Sequence, residues 1–263
     1  MQVYQGLPVL TAQPERPTRL VAIWPLSHDA SVAQYAELAH AAIDEILTLG
    51  KTPIVTGGTG LYLRAALTDL ELPPPPARGA RERWEALYDA EGPQAAHARL
   101  EERDAAAAAA VHANDRRRVV RALELAEFGA SLVPEAHRLW SDDMRHPTIL
   151  FGLDVRAGVL ERRIETRARA MFAAGVEEEV RAAFAAGPIS ATARYAVGLE
   201  EIAALSREQA LDAMMVRTRR YSAYQRKWMR RSPGLVHVDA ERPAGQVAAE
   251  ILAISRDRGI LQA

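Results

Sequence analysis

Four consecutive prolines, Pro73–Pro76, limit how this chain can fold more than any other feature of its sequence. Proline lacks an amide proton and fixes φ, so neither a helix interior nor a central strand can run through such a stretch. Elsewhere, strand-like apolar runs stand at Arg19–Leu26, Thr52–Gly57, Thr148–Val155 and Leu235–Asp239, with long amphipathic helical patterns between them. Strands separated by helices predict βαβ units and a parallel sheet. Between Pro73 and Pro147 there are only helical patterns: "ARERWEALYDA", "PQAAHARLEERDAAAAAAVHA" and "NDRRRVVRALELAEFG". The expected architecture is an α/β domain made of residues 1–76 and 147–263, interrupted by an all-helical insertion, 77–146. Asp29 and Ser31 can cap the helix that follows them, and Gly50 can end it. The six alanines Ala105–Ala110 are strong helix formers and need no low-complexity explanation.

Composition excludes several classes. A chain of 263 residues supports one large domain or two modest ones. It has 33 basic and 34 acidic residues, so any basic surface must be local. It has no cysteine, which removes disulfides, thiolate zinc sites and cysteine nucleophiles. No apolar run approaches the ~20 residues of a membrane span, and the first residues lack the pattern of a signal peptide. The expectation is a soluble, cytoplasmic protein. His28, His112 and His146 show no metal-ligand spacing.

Three stretches carry chemistry. "PIVTGGTGLYLRAAL" (Pro53–Leu67) passes from an apolar run through Gly57, Gly58, Thr59 and Gly60 into a helix-like pattern. In open parallel sheets ligands sit beyond the carboxyl ends of strands. Glycines there allow positive φ and close ligand approach, and Thr59 adds a hydroxyl for a phosphate or a metal-bound water. The alternative is a tight turn with no ligand. "HANDRRRVVRALEL" (His112–Leu125) places Arg117, Arg118 and Arg121 within about 100° of one another on a helix. Such a stripe fits a phosphate backbone, and equally a solvated face. "VRTRRYSAYQRKWMRR" (Val216–Arg231) has seven basic residues and no acidic one, with Tyr221, Tyr224 and Trp228 at helical spacing. The expectation is aromatics packed inward, Trp228 in the core, and arginines facing a polyanion or diphosphate.

Together with "MQVYQGL", "RRIETRARAMFAAGVEEEV" and "TARYAVGLEE", these stretches resemble, in order and over nearly the whole chain, the bacterial tRNA dimethylallyltransferase (isopentenyltransferase) family. The resemblance implies a P-loop NTPase-like parallel sheet flanked by helices, with the helical insertion gripping the anticodon stem-loop of tRNA. It implies transfer of a dimethylallyl group from dimethylallyl diphosphate to N6 of the adenosine 3′ of the anticodon, in tRNAs reading codons that begin with U. It implies Mg2+ on the diphosphate, contacted through a water by Thr59, and a monomer. By the same resemblance Thr59 and Arg194 are the expected catalytic residues, and Gly57, Gly58 and Gly60 face the diphosphate. Met1, Gln2, Arg117, Arg118, Arg121, Arg219, Arg220 and Gln225 are the expected tRNA contacts.

The departures are equally specific. No G-x-x-x-x-G-K-[ST] occurs anywhere in the sequence. In the family, that P-loop and an Asp-Ser pair precede the Met-Gln-x-Tyr motif with which this chain opens. "VAIWPLSHD" stands where the family has a His-His-Leu stretch, and Arg117 replaces a glutamine. The expectation is a chain lacking its first strand, its P-loop and a general-base aspartate, and inactive by itself. A non-catalytic tRNA-binding remnant and a P-loop small-molecule kinase are the alternatives.

Overall fold

A computed structural model of the protein describes residues 1–70, 72, 79–133 and 140–261; Pro73–Pro76 lie outside these. The chain divides into two compact units, one of Met1–Thr68 with Asp142–Ala263 and one of Asp69–Ser141. The sequence pattern alone sets these limits at 77 and 146.

The larger unit holds helices α1 (Val32–Thr48) and α2 (Gly60–Leu67), strand β1 (Phe151–Asp154), helices α7 (Ala157–Ala173), α8 (Val176–Ala185), α9 (Leu199–Ala204) and α10 (Arg207–Arg231), strand β2 (Val236–Asp239) and helix α11 (Ala244–Asp257). Local chemistry sets most of these limits. Ser31 and Gln34 close a capping box on α1, as Ser206 and Gln209 do on α10. Asp29 is not the N-cap of α1; its carboxylate accepts the Thr192 amide and hydroxyl. Gly175, at φ +85°, separates α7 from α8, which read as one run in the sequence.

β1 and β2 pair in parallel, Phe151 opposite Val236 through Asp154 opposite Asp239. The other two expected strands are corrected. In Arg19–Leu26, Leu20 and Ala22 have φ of +63° and +52°, which no extended strand tolerates, and Trp24 contributes only an isolated parallel bridge to Tyr4. Thr52–Gly57 joins no ladder among the described residues, and Ile54 is 79% exposed. Among the described residues the sheet therefore has two strands.

The core of this unit packs the N-terminal segment against α7–α10, with Tyr4, Leu7, Leu10, Phe172, Val176, Val180, Leu199 and Met214 buried. Burying those backbone turns requires acceptors for their amides. Glu179 on α8 supplies two, its carboxylate oxygens receiving the Val9 and Leu10 N–H groups at 2.8 Å each.

The second unit is helical among its described residues: α3 (Ala80–Glu91), α4 (Pro93–Arg103), α5 (Ala105–Ala110) and α6 (Arg116–Ala126). Asp104 ends α4 and caps α5 by accepting the Ala107 amide, so "LEERDAAAAAA" is two helices. Ala96, Leu100, Ala107, Val119, Ala122 and Leu123 are fully buried in its core. Glu124 is fully buried too, and receives Arg81 Nε and Arg121 Nη1 at 2.9 Å each.

Candidate active site

α2 starts at Gly60, so Gly57, Gly58 and Thr59 form the turn that leads into it. None of the three glycines adopts a positive φ, which corrects the conformational reason expected for them. Their reason is proximity. A Cβ on Gly58 would lie 1.9 Å from Gln225 Nε2, and one on Gly60 would lie 2.0 Å from Trp228 Cδ2. A Cβ on Gly57 would meet only Leu63, at 3.4 Å. At Gly58 and Gly60 the glycines therefore admit helix α10, whose Tyr221, Gln225 and Trp228 fall at i, i+4 and i+7 on one helical face.

Thr59 is extended (φ −96°, ψ 104°) and its side chain does not cap α2. Its hydroxyl lies 2.8 Å from the Tyr221 hydroxyl. Tyr224 meets Trp228 edge-on at 6.2 Å and is half exposed, and Trp228 is partly buried over Gly60 rather than in either core cluster.

Tyr221 and Gln225 also line a cavity of about 510 Å³ between α7 and α10. Leu10, Leu160, Ile164, Met171, Val197 and Met214 give it an apolar side; Arg163, Arg167, Thr218 and Ser222 join Tyr221 and Gln225 on the polar side. Arg163 is anchored by its Nη2 on the Ala240 carbonyl at 3.0 Å. Arg167 has no ion-pair partner among the described residues.

The residues expected from the sequence fall in different places. Gln225 is in the cavity wall. Arg219 is bonded through Nε to Glu161 at 2.6 Å, and Arg220 is exposed. Arg194 lies in a 3₁₀ turn, Ala193–Tyr195. Its guanidinium pairs with Glu200, donates to the Ile189 carbonyl and covers the Phe184 ring, and it is not in the cavity lining. Gln2 spends its amide on the Thr11 and Ala12 carbonyls at 3.1 and 2.6 Å, which ties down the N-terminal turn, while Met1 is 45% exposed.

In the second unit, Arg117 and Arg118 are exposed, whereas Arg121 is held on Glu124. Arg116, at the start of the same helix, grips Asp89 at 2.7 Å and Glu85 at 3.3 Å. The bond from Arg116 holds the Asp89 carboxyl below the usual carboxylate range.

The sequence reading missed the α7 side of the cavity. Its signal is the i, i+4 pair Arg163 and Arg167 in "RRIETRA", which puts two cations on one face of an otherwise apolar helix stripe. It also missed Arg64, one turn beyond Gly60, which is 3% exposed with Asp142 and Asp143 nearby; burial lowers its pKa.

A magnesium ion implied by the resemblance finds few protein donors at this place. The turn offers the Thr59 hydroxyl, the cavity lining contains no carboxylate, and among the described residues no group of three His, Asp or Glu could hold a metal. This donor set does not fit an ion held by protein carboxylates.

A hydroxyl-bearing turn beside a largely apolar cavity edged by two arginines suits a group-transfer enzyme whose substrate has an apolar and an anionic end. The comparisons with known proteins agree. The model of the IPP transferase family matches residues 2–232, and the chain belongs to that family. It is 37% identical to the tRNA dimethylallyltransferase of Corynebacterium jeikeium, covering 92% of this chain and 82% of that one. It is 40% identical to the tRNA dimethylallyltransferase of Streptomyces coelicolor, covering 89% and 78%. Among solved structures, the tRNA isopentenylpyrophosphate transferase of Bacillus halodurans matches at a TM-score of 0.67 and 28% identity, covering 98% and 85%. A eukaryotic dimethylallyltransferase acting on tRNA shares the fold at a TM-score of 0.74 and 22% identity, covering 98% and 71%.

Proposed function

We propose that this protein is a tRNA dimethylallyltransferase, moving a dimethylallyl group from dimethylallyl diphosphate to N6 of the adenosine 3′ of the anticodon, in tRNAs reading codons that begin with U. The observation that carries the site assignment is the joint between the Thr59 turn and the cavity, made by Tyr221 and Gln225. In the reaction the adenine amine attacks the allylic C1, the C1–O bond breaks toward the diphosphate, and the amine loses a proton. The residues in hand match the needs of the first two steps. The apolar side of the cavity shelters the dimethylallyl tail from water. Thr59 and Arg167 offer a hydroxyl and a cation to the diphosphate as its charge grows. A magnesium ion bound with the donor would neutralise part of that charge, and no residue of this chain is assigned to hold it. The adenine has to leave its stack to reach such a cavity. The exposed Arg117 and Arg118 are assigned to the tRNA backbone, and the enzyme works in the cytoplasm as a monomer.

Deleting the gene in its own host tests the reading. Mass spectrometry of nucleosides from the tRNA pool is expected to show loss of the dimethylallylated adenosine and of any modification built on it. An unchanged nucleoside profile would overturn the assignment.

A further inference from the structure

Tyr221 belongs neither to the turn nor to the residues assigned to substrate, yet its hydroxyl is within hydrogen-bond distance of the one Thr59 presents. The two oxygens are 2.8 Å apart, and either could be the donor. A threonine hydroxyl has one hydrogen and two lone pairs. If Thr59 gave its hydrogen to Tyr221, it would have none left for an anion. With a diphosphate oxygen on Thr59 the direction is forced: the phenol donates to Thr59 Oγ1, and Thr59 donates to the diphosphate. A donor that is itself accepting a hydrogen bond is polarised and donates more strongly.

The same arrangement fixes the Thr59 rotor. The turn lies against α10 at two further points, with the Gln225 amide over Gly58 and the Trp228 ring over Gly60, each in the space a Cβ would enter. Tyr221 stands on the same face of α10, at 37% exposure, and lines the cavity. From this geometry we infer that Tyr221 is a positioning residue for the transfer: it aims the Thr59 hydroxyl at the departing diphosphate and acts through Thr59 alone. The inference rests on the proposed prenyl transfer.

The test is a double-mutant cycle on the protein purified from its host, with Tyr221→Phe, Thr59→Ala and the pair introduced into the chromosomal gene. Tyr221→Phe keeps the ring and removes one hydrogen bond, so kcat for transfer should fall about 3- to 10-fold. KM for tRNA and the melting temperature should stay at their wild-type values, which a merely structural tyrosine would not ensure. On the Thr59→Ala background the same change should cost nothing, and on a Thr59→Ser background it should cost as much as in the wild type. A wild-type kcat in Tyr221→Phe overturns the inference. So do losses that multiply in the double variant, or a kcat loss matched by a fall in melting temperature. Wild-type protein that transfers no dimethylallyl group at all overturns the functional reading, and this inference with it.

Discussion

The glycine-rich turn before α2 and the arginine-rich start of α6 are the two most conspicuous patterns in the sequence, and they owe their composition to opposite circumstances. At the turn, Gly58 and Gly60 are small because side chains of α10, some 160 residues later in the chain, occupy the space a Cβ would take. On α6, four arginines are large and charged, and bracing within the protein holds at least two of them: Arg116 on Asp89 and Glu85, Arg121 on the buried Glu124. The glycines that suggested a ligand are explained largely by packing, while the group proposed to face the ligand is the threonine between them. One arginine of the stripe that suggested a phosphate backbone, Arg121, is internal bracing. In both regions the partner decides the role, and the partner is not visible in the motif.

The largest effect should come from the bracing. Glu124 is fully buried with two guanidinium partners at 2.9 Å. Removing one member of a buried ion-pair group leaves the others uncompensated and typically costs 3–5 kcal/mol; with both arginines partly exposed, roughly 3 kcal/mol is expected for Glu124→Ala. Urea denaturation checks it. An unchanged midpoint would return Arg121 to the surface stripe and break the contrast.

The next effect sharpens the packing side. Gly60→Ala drives a methyl into three atoms of the Trp228 ring, all within 2.5 Å. An indole braced over a helix start cannot swing aside, and overpacking of this kind costs about 1–3 kcal/mol. Gly58→Ala meets the amide end of Gln225, which can rotate away, so stability should change by only about 0.5 kcal/mol or less, as for a surface site. Thermal unfolding of the two variants separates them. Equal losses would mean that α10 does not shape this turn as described.

Much of this architecture was legible locally, and the exceptions share one cause. The Ser31 and Ser206 capping boxes, the Gly50 stop and the β1 and β2 runs are written within a few residues of where they act. Arg19–Leu26 looks like a strand by composition, but its left-handed Leu20 and Ala22 reflect how the N-terminal segment folds onto Tyr4 and α8, which no local pattern encodes. Thr52–Gly57 is apolar enough for a strand and still needs a neighbour to pair with. The Glu179 carboxylate in "GVEEEV" looks like a first-turn helix acid, yet it serves amides 169 and 170 residues earlier in the chain. Arg163 and Arg167 were readable as a pair on one helical face; the cavity they border required α10 in place.

The smallest effect tests the exposed arginines of α6, Arg117 and Arg118. Each phosphate neutralised by an arginine releases a counterion, so the log–log slope of tRNA affinity against salt should shrink by about 1 for every phosphate the protein ceases to touch. Arg117→Ala and Arg118→Ala, on the exposed face of α6, should each lower the slope by about 1 with little change in stability. Arg121→Ala should do the reverse, leaving the slope nearly unchanged and lowering stability, because its guanidinium already serves Glu124. Filter binding of tRNA over a range of salt, beside urea melts of the same variants, reads both quantities. If Arg121→Ala lowers the slope as much as the other two, its pair with Glu124 opens when tRNA binds, and the division of α6 into bracing and tRNA-facing residues fails. If none of the three moves the slope, the stripe is a solvated face and tRNA is held elsewhere.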